Sequence, residues 1–409
     1  MSIKTLSFGC RLNALESEKI QSMLKNVLGT AIVVNTCAVT GEAERQSGQS
    51  VRRIARENKN TPIFVTGCAA TRNPEMFCDI LNVIIVDNFQ KRNLNAYIDA
   101  MARTPCNIVG DANIDKFRDT DEKLSKKFVQ IQNGCNHDCT YCVTRLLRGR
   151  AVSFEYDEIL ADVRAAVDAG FGEIVLTGVD IASYARVYDG KAFLISDLCK
   201  RLLTDVPGIQ RLRLSSMDPA VPEVKKIIDL IKSDARMMPH MHFSMQSGSD
   251  TILKSMRRRH TADTVRQWVQ MAGTDITFSW DIICGFPGET EELFNETLEL
   301  VHELKPIKIH AFPYSPRPDT VAATMPNQIN RAISKQRVKI INDAANENRA
   351  NFMRSQLRQT VQVLVEENNI ARCPHDISVK IIGDVVAPRT ICNVILTEFH
   401  DDTFIGKIQ

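Results

Sequence analysis

The sequence predicts an α/β protein in three parts: an N-terminal α/β domain around a parallel sheet, a central partial (β/α) barrel, and a small C-terminal β-barrel. Two patterns indicate this architecture. Short apolar runs alternate with amphipathic helical stretches over most of the chain, which is typical of parallel strands joined by crossover helices. The last segment has short β-like runs without helical patterns between them. A length of 409 residues fits two to three domains of about 150 residues each.

The first domain is predicted over residues 1–115. Thr40 is a good N-cap for its second helix, and Glu42 and Glu44 suit the positive end of that helix. A charge-dense run without apolar periodicity predicts a linker over 116–127. The predicted strands are Ile3–Phe8, Ala31–Asn35 and Ile63–Thr66, and the predicted helices are Ala14–Asn26 and Glu42–Asn58.

The central barrel is predicted over 128–350, and its motifs follow the carboxyl ends of strands, where α/β folds bind ligands. The predicted strands are Phe128–Ile131, Glu173–Leu176, Arg211–Leu214, His242–Met245, Thr277–Ile283 and Lys308–Phe312. The predicted helices include Tyr156–Asp168, Ile195–Leu203, Ala262–Met271, Glu291–Leu304 and Arg331–Gln356. The third domain, 355–409, has the predicted strands Val361–Glu366, Ile377–Ile382, Thr390–Leu396 and Phe404–Ile408.

The charge balance excludes a strongly basic protein, because 51 Lys and Arg against 49 Asp and Glu leave a net charge of +2. Any contact with nucleic acid must therefore use local patches. Three arginine groups are candidates, although each alone is more often a solvated face: Arg145, Arg148 and Arg150; Arg257 to Arg259, expected to open a helix; and Arg52, Arg53 and Arg56.

The N-terminus lacks a signal-peptide pattern, and no apolar run reaches the length of a membrane span. We therefore expect a cytoplasmic protein without a membrane partner. Thiols stay reduced in that compartment, so 12 cysteines indicate metal binding or catalysis rather than disulfide bonds.

Three cysteines form a C-x3-C-x2-C motif directly after a predicted strand: Cys135, Cys139 and Cys142. At this cysteine content, two such fixed offsets are expected by chance about 0.01 times per chain. Zinc is one alternative, but it normally takes a fourth Cys or His ligand, and His137 lies inside the loop. Three thiolates on a four-iron cluster would leave one iron open.

Three further cysteines each follow a strand of the first domain: Cys10, Cys37 and Cys68. Because parallel strands end at one edge of a sheet, these thiols can converge on one metal centre. Gly9 and Gly67, beside two of them, would let the backbone approach closely. The other six cysteines have no pattern and are expected to be buried and inert: Cys78, Cys106, Cys199, Cys284, Cys373 and Cys392.

The C-x3-C-x2-C motif resembles that of the radical S-adenosylmethionine (SAM) superfamily. The resemblance implies a [4Fe-4S] cluster whose open iron binds SAM and whose electron cleaves it to a 5′-deoxyadenosyl radical. It also implies that Tyr141, Gly178, Ser215, Gln246 and Gly285 contact SAM.

Most of the chain resembles the methylthiotransferases, which carry a second [4Fe-4S] cluster on three N-terminal cysteines. The resemblance implies that one SAM methylates sulfur at the cluster on Cys10, Cys37 and Cys68. A second SAM, at Cys135, Cys139 and Cys142, yields the radical that takes hydrogen from C2 of an adenine. The stretches that carry the resemblance are Phe8–Asn13, Val34–Thr40, Val65–Ala70, Leu176–Ile181, Arg213–Ser216, Pro239–Gly248, Arg257–His260, Gly285–Thr290 and Phe312–Pro318.

Within that family, the N-terminal Gly-Cys-Arg-Leu-Asn and the Thr-Gly-Val-Asp run resemble the branch that acts on N6-threonylcarbamoyladenosine at position 37 of tRNA. The implied partners are a tRNA anticodon stem-loop, a flavodoxin- or ferredoxin-like reductant and a sulfur donor. The C-terminal segment is similar to a short TRAM (RNA-binding) domain.

Other functions stay open on the sequence. The enzyme alternatives are a methylthiotransferase for isopentenyladenosine in tRNA or for a ribosomal protein, and a radical SAM methyltransferase. The alternative without catalysis is a zinc-dependent RNA-binding module. Iron and sulfide content separates that module from the enzymes.

Overall fold

The computed structural model describes residues 3–25, 27–103 and 125–409. Most of the predicted linker and the predicted end of the first domain lie outside these residues, as does Cys106.

The N-terminal domain is a four-stranded parallel sheet in the order β1-β2-β3-β4, with helices on both faces. Alternate residues of β2 supply the two cores: Val33 packs on the α1 and α5 side, and Ile32 and Val34 pack on the α2 side. The parallel register sets Ser7 opposite Asn35 and Thr36 opposite Gly67, so β1, β2 and β3 end at one edge. The elements are β1 (Ile3–Ser7), α1 (Arg11–Leu24), β2 (Ala31–Thr36), α2 (Gly41–Glu57), β3 (Ile63–Gly67), α3 (Cys68–Arg72), α4 (Glu75–Cys78), β4 (Val83–Ile85) and α5 (Leu94–Arg103).

The central domain is an open barrel of six parallel strands. Two three-stranded sheets, β11-β8-β5 and β12-β13-β14, are joined by parallel bridges from Leu212 to Met237 and from Met217 to Phe243. One large core fills the space between the strands and the surrounding helices.

The strands of this domain are β5 (Lys126–Gln130), β6 (Gln132–Asn133), β7 (Val152–Ser153), β8 (Glu173–Thr177), β9 (Ala185–Tyr188), β10 (Lys191–Leu194), β11 (Leu212–Leu214), β12 (His240–Gln246), β13 (Thr277–Cys284) and β14 (Lys308–Pro313). The helices are α6 (Thr144–Arg148), α7 (Tyr156–Asp168), α8 (Ile195–Asp205), α9 (Glu223–Ser233), α10 (Asp250–Ser255), α11 (Ala262–Ala272), α12 (Glu291–Leu304) and α13 (Arg331–Gln356).

One observed boundary differs from the sequence prediction. Strand β5 begins at Lys126, inside the predicted linker 116–127, because Lys126 pairs with Glu173 in the parallel ladder. Helix α13 ends at Gln356 as predicted, and its last turns reach the C-terminal barrel, since Met353 packs into the core of that barrel.

The C-terminal domain is a closed five-stranded barrel in the order β15-β16-β17-β19-β18, and the α/β class with a small C-terminal β-barrel is therefore confirmed. Ser125 donates a hydrogen bond of 2.6 Å to the carbonyl of Val365, which attaches the barrel to the start of the central domain. Its strands are β15 (Thr360–Val365), β16 (Ile370–Arg372), β17 (Ser378–Ile382), β18 (Ile391–His400) and β19 (Thr403–Ile408). No helix in the described part of the chain is long and apolar enough to cross a membrane.

The loop between β13 and α12 packs tightly on α13 through Gly285, which gives a test of the packing. A Cβ there would lie 1.9 Å from Ser334 Oγ, and its φ is +77°. Gly170 has the same φ of +77° with no atom within 4 Å of the Cβ position. We expect Gly170→Ala to lower the free energy of unfolding by about 1–2 kcal/mol, the cost of a left-handed backbone. Gly285→Ala should add an overpacking cost of about 1–3 kcal/mol.

Urea unfolding of both variants measures this difference. Equal losses of stability would contradict the packing assigned to Gly285.

Candidate active site

The first cysteine triad lies at the carboxyl edge of the N-terminal sheet. Cys10 follows β1 and caps α1, Cys37 follows β2, and Cys68 follows β3 as the first residue of α3. The edge arises because the parallel register brings these strands to a common end. Cys10 is exposed, whereas Cys37 and Cys68 are buried. The triad is therefore open on the Cys10 side.

Glycine makes the close packing of this edge possible. Gly9 has a φ of +89°, and a Cβ there would lie 2.4 Å from Cys37 Sγ. Gly67 has a φ of +92°, and its Cβ would lie 2.4 Å from Asn35 Oδ1. Neither position accepts a side chain, so both glycines leave room for groups around the thiols.

Burial, with smaller contributions from the neighbouring thiols of Cys10 and Cys68, raises the pKa of the Cys37 thiol to about 11. Three thiolates this close repel one another, and a bound cationic metal centre would remove that repulsion. The three thiols thus form a donor set that suits a metal centre with sulfur ligands.

The second triad lies on the loop between β6 and α6, at the mouth of the central barrel. The Cys135 amide donates to the carbonyl of Gly149 at 3.1 Å, which closes the loop. Cys142 Sγ lies 3.1 Å from the hydroxyl of Thr144. Arg258 Nη1 lies 3.6 Å from Cys139 Sγ. Burial raises the pKa of Cys135 to about 11, with smaller contributions from Asp180 and the two other cysteines.

The spacing of the sulfurs disfavours a single zinc ion. Ligands on tetrahedral zinc at 2.3 Å lie about 3.8 Å from one another. Among the described residues, one group of Cys, His or carboxylate side chains has all its ligand atoms within 4.8 Å of one another. Its members are Cys135, His137 and Asp180. That group uses one cysteine of the motif, and His137 Nε2 already contacts Asp180 at 2.7 Å. Neither cysteine triad has all three sulfurs within 4.8 Å of one another, so each triad fits a multi-iron cluster better than a single zinc ion.

A cavity of about 260 Å³, here called the active-site cavity, separates the two domains beside the second triad. Cys142 and Tyr141 line it from the cluster loop, and Val39 and Thr40 line it from the loop that follows Cys37. The cavity therefore lies between the second triad and the loop that follows Cys37 of the first. Its other lining residues are Val143, Thr144, Gln246, Asp281, Ile283, Phe312, Pro313, Tyr314 and Ser315.

The residues expected to contact SAM lie in different surroundings. Tyr141 and Gln246 line the active-site cavity, and Gln246 has a φ of +72°. Ser215 Oγ is buried after β11 without a hydrogen-bond partner, as expected of a group that awaits a ligand. Gly178 packs against Gln132, with 2.8 Å between its Cβ position and that residue's carbonyl oxygen. Gly285 packs on Ser334 and does not line the cavity.

A buried ionic group between the two triads was not recognised from the sequence. Glu16 accepts from Lys91 Nζ at 2.6 Å and from Arg148 Nη1 at 3.0 Å. Arg148 also donates to Asn13 at 2.5 Å and to Asn133 at 3.0 Å. The sequence contains one indication of this group, because Asn13 and Glu16 lie three residues apart and therefore on one face of the helix that follows Cys10.

Several sequence expectations need correction. The sequence places Arg148 in an exposed basic patch, but Arg148 is buried against Glu16. The side chain of Arg258 is only 6% exposed and pairs with Asp218 at 3.2 Å. The run Arg257 to Arg259 lies between α10 and α11 rather than opening a helix. Cys78 is exposed and Cys392 is half-buried, so the expectation of burial is wrong for them, whereas Cys199, Cys284 and Cys373 are buried.

Comparisons with known proteins agree with the fold and the site. Residues 129–301 match the family model described as Radical SAM superfamily, and residues 2–86 match Uncharacterized protein family UPF0004. The chain is 38% identical to Threonylcarbamoyladenosine tRNA methylthiotransferase MtaB of Rickettsia prowazekii, over 92% of this chain and 90% of the relative. It is 29% identical to the tRNA-2-methylthio-N(6)-dimethylallyladenosine synthase of Erythrobacter litoralis, over 98% and 96%.

A solved structure of the radical S-adenosylmethionine methyltransferase TsrM from Kitasatospora setae has a TM-score of 0.60 and 13% identity, covering 79% of this chain and 77% of that one. This likeness concerns the fold alone. Fold and cysteine loop together define a radical SAM enzyme. Within that class, the chain belongs to the family of threonylcarbamoyladenosine tRNA methylthiotransferases.

The buried carboxylate of Glu16 gives a prediction about stability. Glu16→Ala would leave Lys91 and Arg148 buried without a counter-charge, and breaking a buried pair in this way costs about 3–5 kcal/mol. Glu42→Ala is the matched control, because Glu42 pairs with Arg45 on the surface of α2. Denaturant unfolding should show a large loss for the first variant and no resolved loss for the second. Equal losses of stability in the two variants would contradict the assignment of the Glu16 carboxylate as the buried counter-charge of Lys91 and Arg148.

Proposed function

We propose that this protein transfers a methylthio group to C2 of N6-threonylcarbamoyladenosine at position 37 of tRNA. The observation that carries the proposal is the active-site cavity, which has Cys142 on one side and the loop after Cys37 on the other. Two metal centres beside one cavity suit a reaction that combines radical formation with sulfur transfer. The 38% identity to a curated member of this branch supports the choice of substrate.

The six cysteines would hold the two centres. Cys135, Cys139 and Cys142 leave one iron of a [4Fe-4S] cluster open for SAM, and Cys10, Cys37 and Cys68 hold a second cluster. When bound, these groups supply reductive cleavage of SAM and the sulfur to be transferred, since protein side chains alone cannot perform radical chemistry of this kind. The Cys10 side of the first triad is exposed and gives that sulfur access to the adenine.

The protein residues bind and orient the reactants. Tyr141 offers an aromatic face beside the second triad, and the Ser215 hydroxyl offers a free hydrogen-bonding group. Gln246 occupies the carboxyl end of β12, where its amide reaches the cavity. Gly178 and Gly285 would contribute to this site indirectly, by allowing their loops to pack closely on Gln132 and Ser334. Apolar side chains, including Val39, Ile283 and Phe312, line the cavity and offer packing surface to the reactants.

The tRNA partner must present its modified adenine unstacked, since a base stacked in the anticodon loop cannot otherwise enter a cavity between two domains. Exposed arginines supply the phosphate contacts, and they come from both domains that form the cavity. These arginines are Arg52, Arg53, Arg56, Arg145, Arg150, Arg257 and Arg259. The C-terminal barrel, similar to a TRAM domain, would add a further RNA contact.

A flavodoxin- or ferredoxin-like protein would provide the electron for the second triad, and a separate donor would supply sulfur. A reducing compartment suits eleven cysteines without a disulfide among the described residues. We therefore infer a cytoplasmic enzyme, where its tRNA substrate is available.

Removal of single cysteines should separate the two centres. We expect Cys10→Ala to retain SAM cleavage to 5′-deoxyadenosine and to lose methylthiolation, because the first triad holds the sulfur. Cys135→Ala should lose both reactions. Iron should fall from about eight per chain to about four in either variant.

The control is Cys199→Ala, which removes a buried thiol on α8 that belongs to neither triad and should keep both reactions and the iron content. Methylthiolation by Cys10→Ala would contradict the two-centre proposal. A wild-type protein that contains zinc and no sulfide would contradict both iron–sulfur centres and the proposed reaction.

Nucleoside mass spectrometry of tRNA from cells lacking the protein tests the substrate. The methylthio form of threonylcarbamoyladenosine should disappear and return when the wild-type gene is restored. Loss of the methylthio isopentenyl form instead would reassign the substrate to that of the 29% identical relatives.

A further inference from the structure

Arg258 places a buried positive charge beside one sulfur of the second triad. Its Nη1 atom lies 3.6 Å from Cys139 Sγ. The side chain is 6% exposed, and its Nε atom is buried without a hydrogen-bond partner. Little water surrounds this guanidinium, so its charge acts on Cys139 with little screening.

The other two sulfurs of the triad accept from uncharged groups. The amide of His137 donates to Cys135 Sγ at 3.4 Å. The amide of Thr144 donates to Cys142 Sγ at 3.4 Å, and the Thr144 hydroxyl lies 3.1 Å from the same sulfur. Of these contacts to the triad, the one at Cys139 is therefore the charged one, and charged hydrogen bonds are the stronger kind.

Contacts on the other side of the guanidinium fix its position. Arg258 Nη2 donates to the carbonyl of Ser244, on β12, at 2.8 Å. The same nitrogen lies 3.2 Å from Oδ1 of Asp218, which follows β11. The backbone amide of Arg258 donates to the carbonyl of Leu253, on α10, at 2.8 Å. The charge is therefore held beside the sulfur in advance, without reorganisation when the charge of its surroundings changes.

The carboxylate of Asp218 does not cancel this charge, because it is shared. Its second oxygen pairs with Arg259 at 2.8 Å, so two guanidinium groups face one carboxylate. His260 lies 3.9 Å from Asp218, and burial lowers the pKa of His260 to about 4, so its ring is uncharged at neutral pH. The group beside Cys139 therefore keeps an excess of positive charge.

A fixed positive charge at this place favours a reduced cluster. A [4Fe-4S] core on three thiolates has one net negative charge when oxidised and two when reduced. A neighbouring guanidinium stabilises the reduced form more than the oxidised form, and a hydrogen bond to a ligand sulfur acts in the same direction. Both effects raise the reduction potential.

We propose that Arg258 raises the reduction potential of the cluster on Cys135, Cys139 and Cys142, and thereby allows a flavodoxin- or ferredoxin-like donor to reduce it. The donor loses one electron and the cluster gains it, and no bond or proton is exchanged in this step. Arg258 acts through the Cys139 sulfur, so it is a positioning residue. The inference rests on the proposed function for the presence of this cluster, and not for the identity of the substrate.

A redox titration that follows the electron paramagnetic resonance signal of the reduced cluster measures this potential. The background is the full chain with alanine at Cys10, Cys37 and Cys68, so that the signal comes from the second triad. In this background, Arg258→Gln removes the charge but keeps a long amide side chain. We expect the equilibrium constant for reduction to fall about tenfold, which is a potential lower by about 59 mV for one electron.

Two further variants separate the charge from its surroundings. Arg257→Gln is the matched control, because Arg257 is the adjacent residue, pairs with Asp138 and has a side chain that is 52% exposed. Solvent screens that charge, so the potential should stay at the background value. Arg258→Lys retains the positive charge and should recover most of the potential that Arg258→Gln loses.

Asp218→Asn tests the sign of the effect. It keeps the shape of the side chain and removes the negative charge, so the excess of positive charge beside Cys139 grows. We expect this variant to raise the potential, whereas Arg258→Gln lowers it. A purely structural role of the pair would not move the potential in opposite directions.

The choice of reductant gives a second readout in the chain with both triads. With flavodoxin as the donor, Arg258→Gln should form 5′-deoxyadenosine about tenfold more slowly than the wild type. Titanium(III) citrate, a stronger reductant, should drive both proteins at similar rates. Equal slowing with both reductants would overturn the inference and assign Arg258 to the binding of SAM instead.

An unchanged potential in Arg258→Gln, or shifts of the same sign in Arg258→Gln and Asp218→Asn, would also overturn the inference. If Arg258→Gln loses its iron, Asp218→Asn decides alone, and an unchanged or lower potential in that variant overturns the inference. Failure of the proposed function is seen separately. Zinc without sulfide in the wild-type protein overturns both, and iron analysis shows it before any titration. An iron–sulfur enzyme with another substrate overturns only the proposed function.

Discussion

The arrangement of the active site depends on one buried carboxylate, that of Glu16. Burial alone would raise its pKa, but the charges of Lys91 and Arg148 hold the pKa below its ordinary value and keep the carboxylate ionised. Glu16 lies on the helix that begins after Cys10, and Arg148 ends the short helix that follows Cys142. Their ion pair at 3.0 Å therefore fixes one cysteine triad relative to the other. A buried ion pair adds little net stability, so its value here is geometric.

A second buried carboxylate, that of Glu44, also pairs with an arginine of the barrel domain. Glu44 of α2 binds Arg72 at 2.8 Å and also Arg317, from the loop that follows β14. Arg317 is buried, and its guanidinium lies 3.2 Å from the Cβ position of Gly41. Buried ion pairs of Glu16 with Arg148 and of Glu44 with Arg317 thus join the N-terminal domain to the barrel. A sulfur carried by one domain must meet a carbon held by the other, and such contacts restrict sliding better than apolar packing does.

The sequence allows the fold and the cysteines to be predicted because both depend on local patterns. Helices α7, α12 and α13 were predicted to the residue, since each has apolar periodicity with clear ends. The hairpin of β9 and β10 was missed, because its exposed strands have little hydrophobic alternation. The pairing of Glu16 with Arg148 joins residues 132 apart. Charged residues are usually exposed, so an isolated arginine predicts a surface position and its burial here depends on tertiary structure.

One face of β12 and β13 is polar where a packed barrel would carry branched apolar residues. His240, Thr277 and Ser279 are buried on this face, and each is hydrogen-bonded to a side chain of the neighbouring strand. At the base, Arg213 pairs with Glu173 at 2.7 Å and donates to the carbonyl of Pro374, next to His375, at 2.9 Å. Buried polar contacts at the amino ends of the strands, from Arg213 to Pro374 and from Thr277 to His375, therefore hold the C-terminal barrel on the central domain.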